Sequence, residues 1–452
     1  MDFLDKLVIP QSMENLILLK YILTMAMLLF IPFIGFMLIA SAVSVFYAIT
    51  GRKAGDSLAL QFAGEVINIA VSSKPMVIIL GIIPVITLML SYTQLLHGSK
   101  IRPEGLLLLA LVLLLAAFRL LFSYRYTFNL NRYLSYSAEN IKDDSSSADA
   151  EGRREFLDFT QSNARQNVKY GIWGVVLLLL ATYLVTASIQ MSFDANKWSE
   201  NNSILSIVFS IKVIIKYLYF LAVSISLSSA AALFYYFRLK ADAEFSPMFR
   251  DFVRKIVIPA GVISAVVLPV FVLLNLLMVP REAVSNTFFL LTGLGMLLLF
   301  AIIHLFYALY KNWSSTYAAY IFYFMLLFFM TAVISDQLTF SYSSVRQDVV
   351  LAANYERIRS QQMEKAGLGP VVSGKEIFDG RCSACHRFDS KLVGPAYKDV
   401  LPKYEGKRDE LIAFISNPVK KNPAFPPMPN QGLKPKEVEA IADYIMKTYK
   451  EK

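Results

Sequence analysis

The order of apolar and polar positions divides the chain into two unlike parts. Between about residues 16 and 337, long apolar runs alternate with polar connectors; beyond them come short amphipathic segments broken by Gly and Pro. Crossing a bilayer takes roughly 20 apolar residues. Eight runs qualify: 16–49, 76–97, 104–128, 170–192, 204–237, 257–279, 285–310 and 316–337. The first and fifth are longer than a bilayer needs, which predicts tilt or projection into water. The first apolar run is too long for a signal peptide and reads as a retained anchor. Segments 54–74 and 244–255 are amphipathic and are expected to lie along the membrane surface. Residues 341–366 predict a polar helix with Val345, Val349, Ala352, Tyr355 and Ile358 along one face, ended by Gly367-Leu368-Gly369-Pro370.

The pattern also repeats faintly. Leu19-Lys20-Tyr21 in the first span is answered by Ile215-Lys216-Tyr217 in the fifth, Phe46-Tyr47 by Phe234-Tyr235, and Ile83-Pro84-Val85 by Leu268-Pro269-Val270. A four-plus-four duplication is expected, each half being a long helix, an amphipathic segment and three more spans.

Composition strengthens the membrane reading. The chain is 56% hydrophobic and 17% charged, too apolar for an ordinary soluble domain. Its net charge of +10 is distributed by loop. The connectors after spans one, three, five and seven hold most of the Lys and Arg, among them Arg52, Lys53, Arg132, Arg153, Arg154, Arg250, Arg254 and Lys311. Those after spans two, four and six hold only Lys100, Arg102, Lys197 and Arg281. Basic residues collect on the cytoplasmic side, so both termini are expected outside, with membrane lipid rather than nucleic acid as the partner of the charge. The largest cytoplasmic piece is read as a loop, 131–168, containing the polar run Asp143-Asp144-Ser145-Ser146-Ser147. It carries no glycine-rich phosphate loop.

Ionisable residues within spans are costly and mark candidate functional positions. They are Lys20, Arg119, Lys212, Lys216, His304 and Asp336, with His97 at the end of span two. His304 is the candidate for a haem b ligand or a quinone-site proton acceptor, against a plain buried histidine. His97 reads as a solvated loop residue. Lys20 reads as a lysine reaching for lipid headgroups. Two bis-histidine b haems would need four histidines, and the membrane part has two.

The densest chemistry lies near the end, in Cys382-Ser383-Ala384-Cys385-His386. A C-x-x-C-H run is an attachment site for c-type haem: two thiols one turn apart form thioethers and the adjoining histidine ligates the iron. A four-cysteine zinc site is impossible with two cysteines in the chain. A redox cysteine pair would not need the framework around the motif. That framework comprises Gly374 and Phe378 upstream, then Gly394-Pro395, Phe425-Pro426-Pro427-Met428-Pro429, and a helix carrying Val438, Ile441, Ile445 and Tyr449. With this set, residues 373–452 resemble a class I c-type cytochrome domain. The resemblance implies one covalently bound haem c held by Cys382 and Cys385. It further implies His386 and Met428 as axial ligands, and Pro395 as support for the histidine. Bacterial haem attachment of this kind occurs in the periplasm, the side the loop charges choose.

The long first helix of each half and the order of the spans resemble the subunits of cytochrome bd-type quinol oxidases, although the first span has no histidine where that family has a haem ligand. The expected fold class is all-α, with a helical membrane domain at 1–340, a helical stalk and hinge at 341–372 and a periplasmic monohaem cytochrome c domain at 373–452. The expected function is electron transfer as a subunit of a quinol-linked respiratory complex in the bacterial inner membrane. Other complex subunits and a periplasmic redox protein are the expected partners, with Lys391, Lys398, Lys420 and Lys421 as a basic rim against a mixed solvated surface. Two alternatives are a quinol–cytochrome c oxidoreductase with its own haem b or quinone site, and a haem-based redox sensor. No kinase, cyclase or methyl-acceptor output module accompanies the haem motif, which ranks the sensor last.

Overall fold

A computed structural model describes residues 8–140, 147–193, 198, 204–240, 245–366 and 373–451. Among them every regular element is helical. The chain divides into two compact units, Met1–Tyr355 and Glu356–Lys452. The break Gly367-Leu368-Gly369-Pro370 lies outside the described residues.

The first unit contains eight helices long and apolar enough to cross a membrane: α1 (Met13–Ala54), α3 (Lys74–Leu95), α4 (Pro103–Asn140), α5 (Ser147–Phe193), α6 (Ile211–Leu239), α7 (Pro247–Met278), α8 (Asn286–Lys311) and α9 (Ser315–Ser343). A shorter helix, α2 (Ser57–Ala70), packs on α1 and buries Phe62, Ala63 and Ile67. Ser12 caps α1, its Oγ accepting the Asn15 N–H. Gly55 ends that helix at φ 66°, a left-handed value that favours glycine.

Helix packing follows the duplication. The pairs α1–α3, α3–α4, α4–α5 and α1–α5 correspond to α6–α7, α7–α8, α8–α9 and α6–α9, and α1 meets α6 between the halves. In this arrangement α1 and α6 are the central helices, and their matching lysines lie in the interior.

Three boundaries differ from those read in the sequence. Of the expected loop 131–168, residues 131–140 and 147–168 are helical, continuing α4 and α5 as a packed pair; the polar run at 143–146 lies outside the described residues. Buried amides zip them together: Asn163 Nδ2 donates to Thr127 O at 3.1 Å and Asn131 Oδ1 at 2.6 Å, and Asn167 Nδ2 donates to Tyr124 O at 2.8 Å. Polar side chains that face a helix partner look like loop in a hydropathy plot. Residues 247–255 are not a separate surface segment. Ser246 and Pro247 form a cap and first-turn proline, and the helix they start runs unbroken into span six. Span five begins at Ile211, after a short helix Ile204–Val208.

Helix α10 (Val345–Lys365) matches the predicted polar helix, but with a different inner face. Val345 and Val349 are exposed, whereas Asp348 is buried and Ala352 packs on the core. The division between the two units falls within this helix. The largest fully buried side chains include Tyr92, Tyr124, Tyr236 and Phe306.

The second unit is built from α11 (Gly374–Ile377) running into a wide turn at Phe378–Cys382, then α12 (Tyr397–Val400), α13 (Arg408–Ser416) and α14 (Pro435–Glu451). Val438, Ile441 and Ile445 of α14 are buried with Phe378, Leu401 and Leu411, as their helical spacing predicts. Gly374 crosses α14 so closely that a Cβ there would stand 2.6 Å from Tyr444 Cβ. That close approach explains the glycine.

Candidate haem site

The wide turn positions the cysteines. The Phe378 carbonyl accepts the Ser383 N–H at 2.8 Å, and the Cys382 carbonyl accepts the N–H groups of Cys385 and His386 at 3.1 and 2.9 Å. The tight turn brings both thiols and the imidazole to one cavity. The following loop returns along it, with the Gly394 N–H on the Cys385 carbonyl and the Tyr397 N–H on the Arg387 carbonyl.

Cys382, Cys385, His386, Pro395 and Met428 all line this cavity of about 510 Å³. The two cysteines are not joined to each other in a disulfide. His386 Nδ1 lies 3.3 Å from the Pro395 carbonyl. A carbonyl accepts only, so Nδ1 carries the proton and Nε2 keeps its lone pair for a metal. Burial holds the imidazole below its usual pKa against the opposing pull of that carbonyl, which leaves it neutral at pH 7. Gly394 completes the cradle: a Cβ there would lie 2.8 Å from His386 Nδ1 and 2.9 Å from Nε2.

Met428 enters on a proline-rich loop with no regular structure. Asn430 Nδ2 anchors that loop to the Ser416 carbonyl at 3.1 Å, and Arg381 Nη1 reaches the Gln431 carbonyl at 3.3 Å. Two contributors escaped the sequence reading. Tyr397 stacks on His386 with ring centroids 5.0 Å apart and an interplanar angle of 11°; its place just after Gly394-Pro395 was the available signal. Arg381 ties the motif to the methionine loop through a backbone carbonyl, which leaves no sequence signature. Donor set, neutral imidazole and cradle fit a covalent haem with histidine and methionine on its iron.

The intramembrane candidates fare differently. His304 is exposed on the outer face of α8, stacked on Phe300, which is 74% exposed. Neither it nor His97 is among the lining residues of the four cavities described in the first unit, and the exposed position of His304 lends its haem b and quinone reading no support. A histidine on a lipid-facing stripe and one facing the interior have the same neighbours in sequence. Lys20 does not reach for headgroups: its Nζ is 2.5 Å from Asp348 Oδ2, and both side chains are mostly buried. Its repeat counterpart Lys216 pairs with Asp336 at 2.7 Å. Arg119 is exposed and bonds Ser123 one turn on. Among the described residues no three His, Cys, Asp or Glu side chains are grouped to hold a metal ion.

Comparison with known proteins bears on the second unit. Residues 371–448 match the family described as Cytochrome c. Cytochrome c-551 of Pseudomonas denitrificans is 39% identical over 79 residues, 16% of this chain and 95% of that protein. Cytochrome c-551 of Ectopseudomonas mendocina is 36% identical over 79 residues, 17% of this chain and 96% of the relative. Cytochrome c-552 of Hydrogenobacter thermophilus is 36% identical over 69 residues, 14% and 69% of the two chains. No solved structure matches the chain. None of these relatives takes in more than 17% of it, so the resemblance of the membrane part to cytochrome bd-type subunits is unsupported. Through its C-terminal unit, joined to eight apolar helices of membrane-crossing length, this chain belongs to the cytochrome c family.

Proposed function

We propose that this multi-pass membrane protein carries electrons in a quinol-linked respiratory complex, with its single haem c on the periplasmic side. The observation that carries the reading is the convergence of Cys382, Cys385, His386 and Met428 on one cavity, with His386 Nδ1 on the Pro395 carbonyl. When bound, the haem supplies one-electron chemistry, and a His/Met pair raises its potential.

The chain's own residues do the rest. Cys382 and Cys385 would hold the porphyrin by thioethers. Pro395 fixes the His386 tautomer through its carbonyl, leaving Nε2 free to ligate the iron of a bound haem. Tyr397 and Gly394 keep the imidazole plane from rotating, since one stacks on it and the other leaves just enough room beside it. Met428 approaches on a loop stiffened by its flanking prolines and anchored by Asn430. Such rigidity keeps reorganisation small when the iron changes charge. The excess of Lys and Arg on the connectors after odd-numbered spans supports the periplasmic placement. Lys391, Lys398, Lys420 and Lys421 are all exposed and suit an acidic redox partner.

Replacing Met428 by Ala in the full-length protein tests the ligand assignment. The reduction potential is expected to fall and the ferric iron to bind added imidazole or azide. An unchanged potential and spectrum would show that another residue occupies that position.

A further inference from the structure

The two repeat-related lysines are an internal comparison. Both pair with an aspartate contributed late in the chain, yet their surroundings differ. Lys20–Asp348 is closed in, with side-chain exposures of 15% and 9%, and is not among the lining residues of the cavities described above. Lys216–Asp336 borders an open-sided cleft, and Asp336 keeps 31% of its side chain accessible. A tie that only joins helices has no need of that space.

The walls of the cleft restrict what enters it. Phe193, Tyr219, Phe288 and Phe328 supply aromatic surface, and among the described residues that line it the charged groups are Lys216 and Asp336, paired with each other. A phosphate or carboxylate ligand would leave Asp336 repelling it. A neutral aliphatic chain would leave an ammonium and a carboxylate facing hydrocarbon, which is costly. A flat neutral ring with oxygens at its edge satisfies both. A quinone carbonyl accepts from the Lys216 ammonium, and a quinol hydroxyl donates to the Asp336 carboxylate. Asp336 also lies near the end of α9 that leads into α10 and the cytochrome unit.

We propose that the cleft at Lys216 and Asp336 binds the head group of a membrane quinone or quinol. This deepens the quinol-linked reading above and rests on it, placing the head group at an ion pair that borders a cleft rather than at His304.

The test uses full-length protein in lipid nanodiscs titrated with decylubiquinone, binding being read as a saturable rise in thermal midpoint. Gly295 lines the cleft, and an added Cβ would meet Thr331 Oγ1 at 3.4 Å and Phe328 at 3.6 Å, ordinary contacts. Gly295→Leu adds bulk at the wall of the cleft and is expected to weaken binding at least tenfold. Asp336→Asn keeps the shape and is expected to weaken binding several-fold. The control Lys20→Met/Asp348→Leu alters the sister pair and is expected to leave affinity unchanged. Absence of saturable binding, equal affinity in Gly295→Leu, or equal losses in the sister-pair control would overturn the proposal. Covalent haem content, measured on the same preparations, separates the outcomes. Intact haem c without quinone binding removes this site alone, whereas absent haem c removes the electron-transfer reading whatever the quinone does.

Discussion

Gly394→Ala perturbs the haem cradle with the smallest possible addition. The new Cβ would lie 2.8 Å from His386 Nδ1 and 2.9 Å from Nε2, inside the distance any real Cβ keeps from a ring. The ring cannot slide away easily, because Tyr397 stacks on it with an 11° interplanar angle and the Pro395 carbonyl holds Nδ1. Forcing an extra carbon into a packed site costs about 1–3 kcal/mol, and losing the neutral hydrogen bond to Pro395 adds about 0.5–1.5 kcal/mol. The expected loss of stability is therefore about 1.5–4.5 kcal/mol. Gly380→Ala is the control, since nothing lies within 4 Å of the Cβ it would add; a change within about 0.5 kcal/mol is expected there. Guanidinium titration of the detergent-solubilised full chain, followed by haem absorption, compares them through their midpoints. Equal midpoints for the two variants would refute the claim that Gly394 is there to seat the histidine.

Three further outcomes follow from the same geometry. Asp348→Ala strands Lys20 in a mostly buried position and is expected to cost about 3–5 kcal/mol, whereas Lys20→Met/Asp348→Leu removes both charges and costs much less; thermal midpoints in one detergent decide this. Asp443 sits below its ordinary value of 3.8 because Arg408 hydrogen-bonds to it. Its contribution is thus full above about pH 4 and is lost as pH falls through the depressed folded value. Asp443→Asn should flatten that acid limb with little effect at pH 7, as circular dichroism against pH would show. Lys420→Glu/Lys421→Glu is expected to slow electron exchange with an acidic partner protein and to weaken the salt dependence of the rate, with the potential unchanged; stopped-flow at two ionic strengths reads both.

How much of this was legible before the structure depended on what kind of signal each feature leaves. The spans were readable because burial in lipid is a matter of composition over some 20 residues. The haem motif was readable because thioether attachment fixes residue types at fixed spacing. The repeat left only a few matched positions, yet Lys20 and Lys216 proved to mark the two central helices. What could not be read was direction. His304 and Lys216 are both ionisable residues in apolar helices; one faces outward beside Phe300 and the other faces Asp336, a partner 120 positions away. Helix α10 failed for the same reason, its apolar valines being exposed and its aspartate buried. The continuation of α4 and α5 beyond the apolar stretch depended on Asn163 and Asn167 finding backbone carbonyls across the pair. Cross-helix hydrogen bonds of this kind leave no periodicity to detect.

The central claim is a single covalent haem c ligated by His386 and Met428. A pyridine haemochrome spectrum of the purified full-length protein, with acid-acetone extraction to separate covalent from removable haem, tests it most directly. One non-extractable c-type haem per chain, abolished in Cys382→Ser/Cys385→Ser, and no stoichiometric b haem is the predicted result. An extractable b haem in equal amount, or thiols that remain free in the mature protein, would contradict the account.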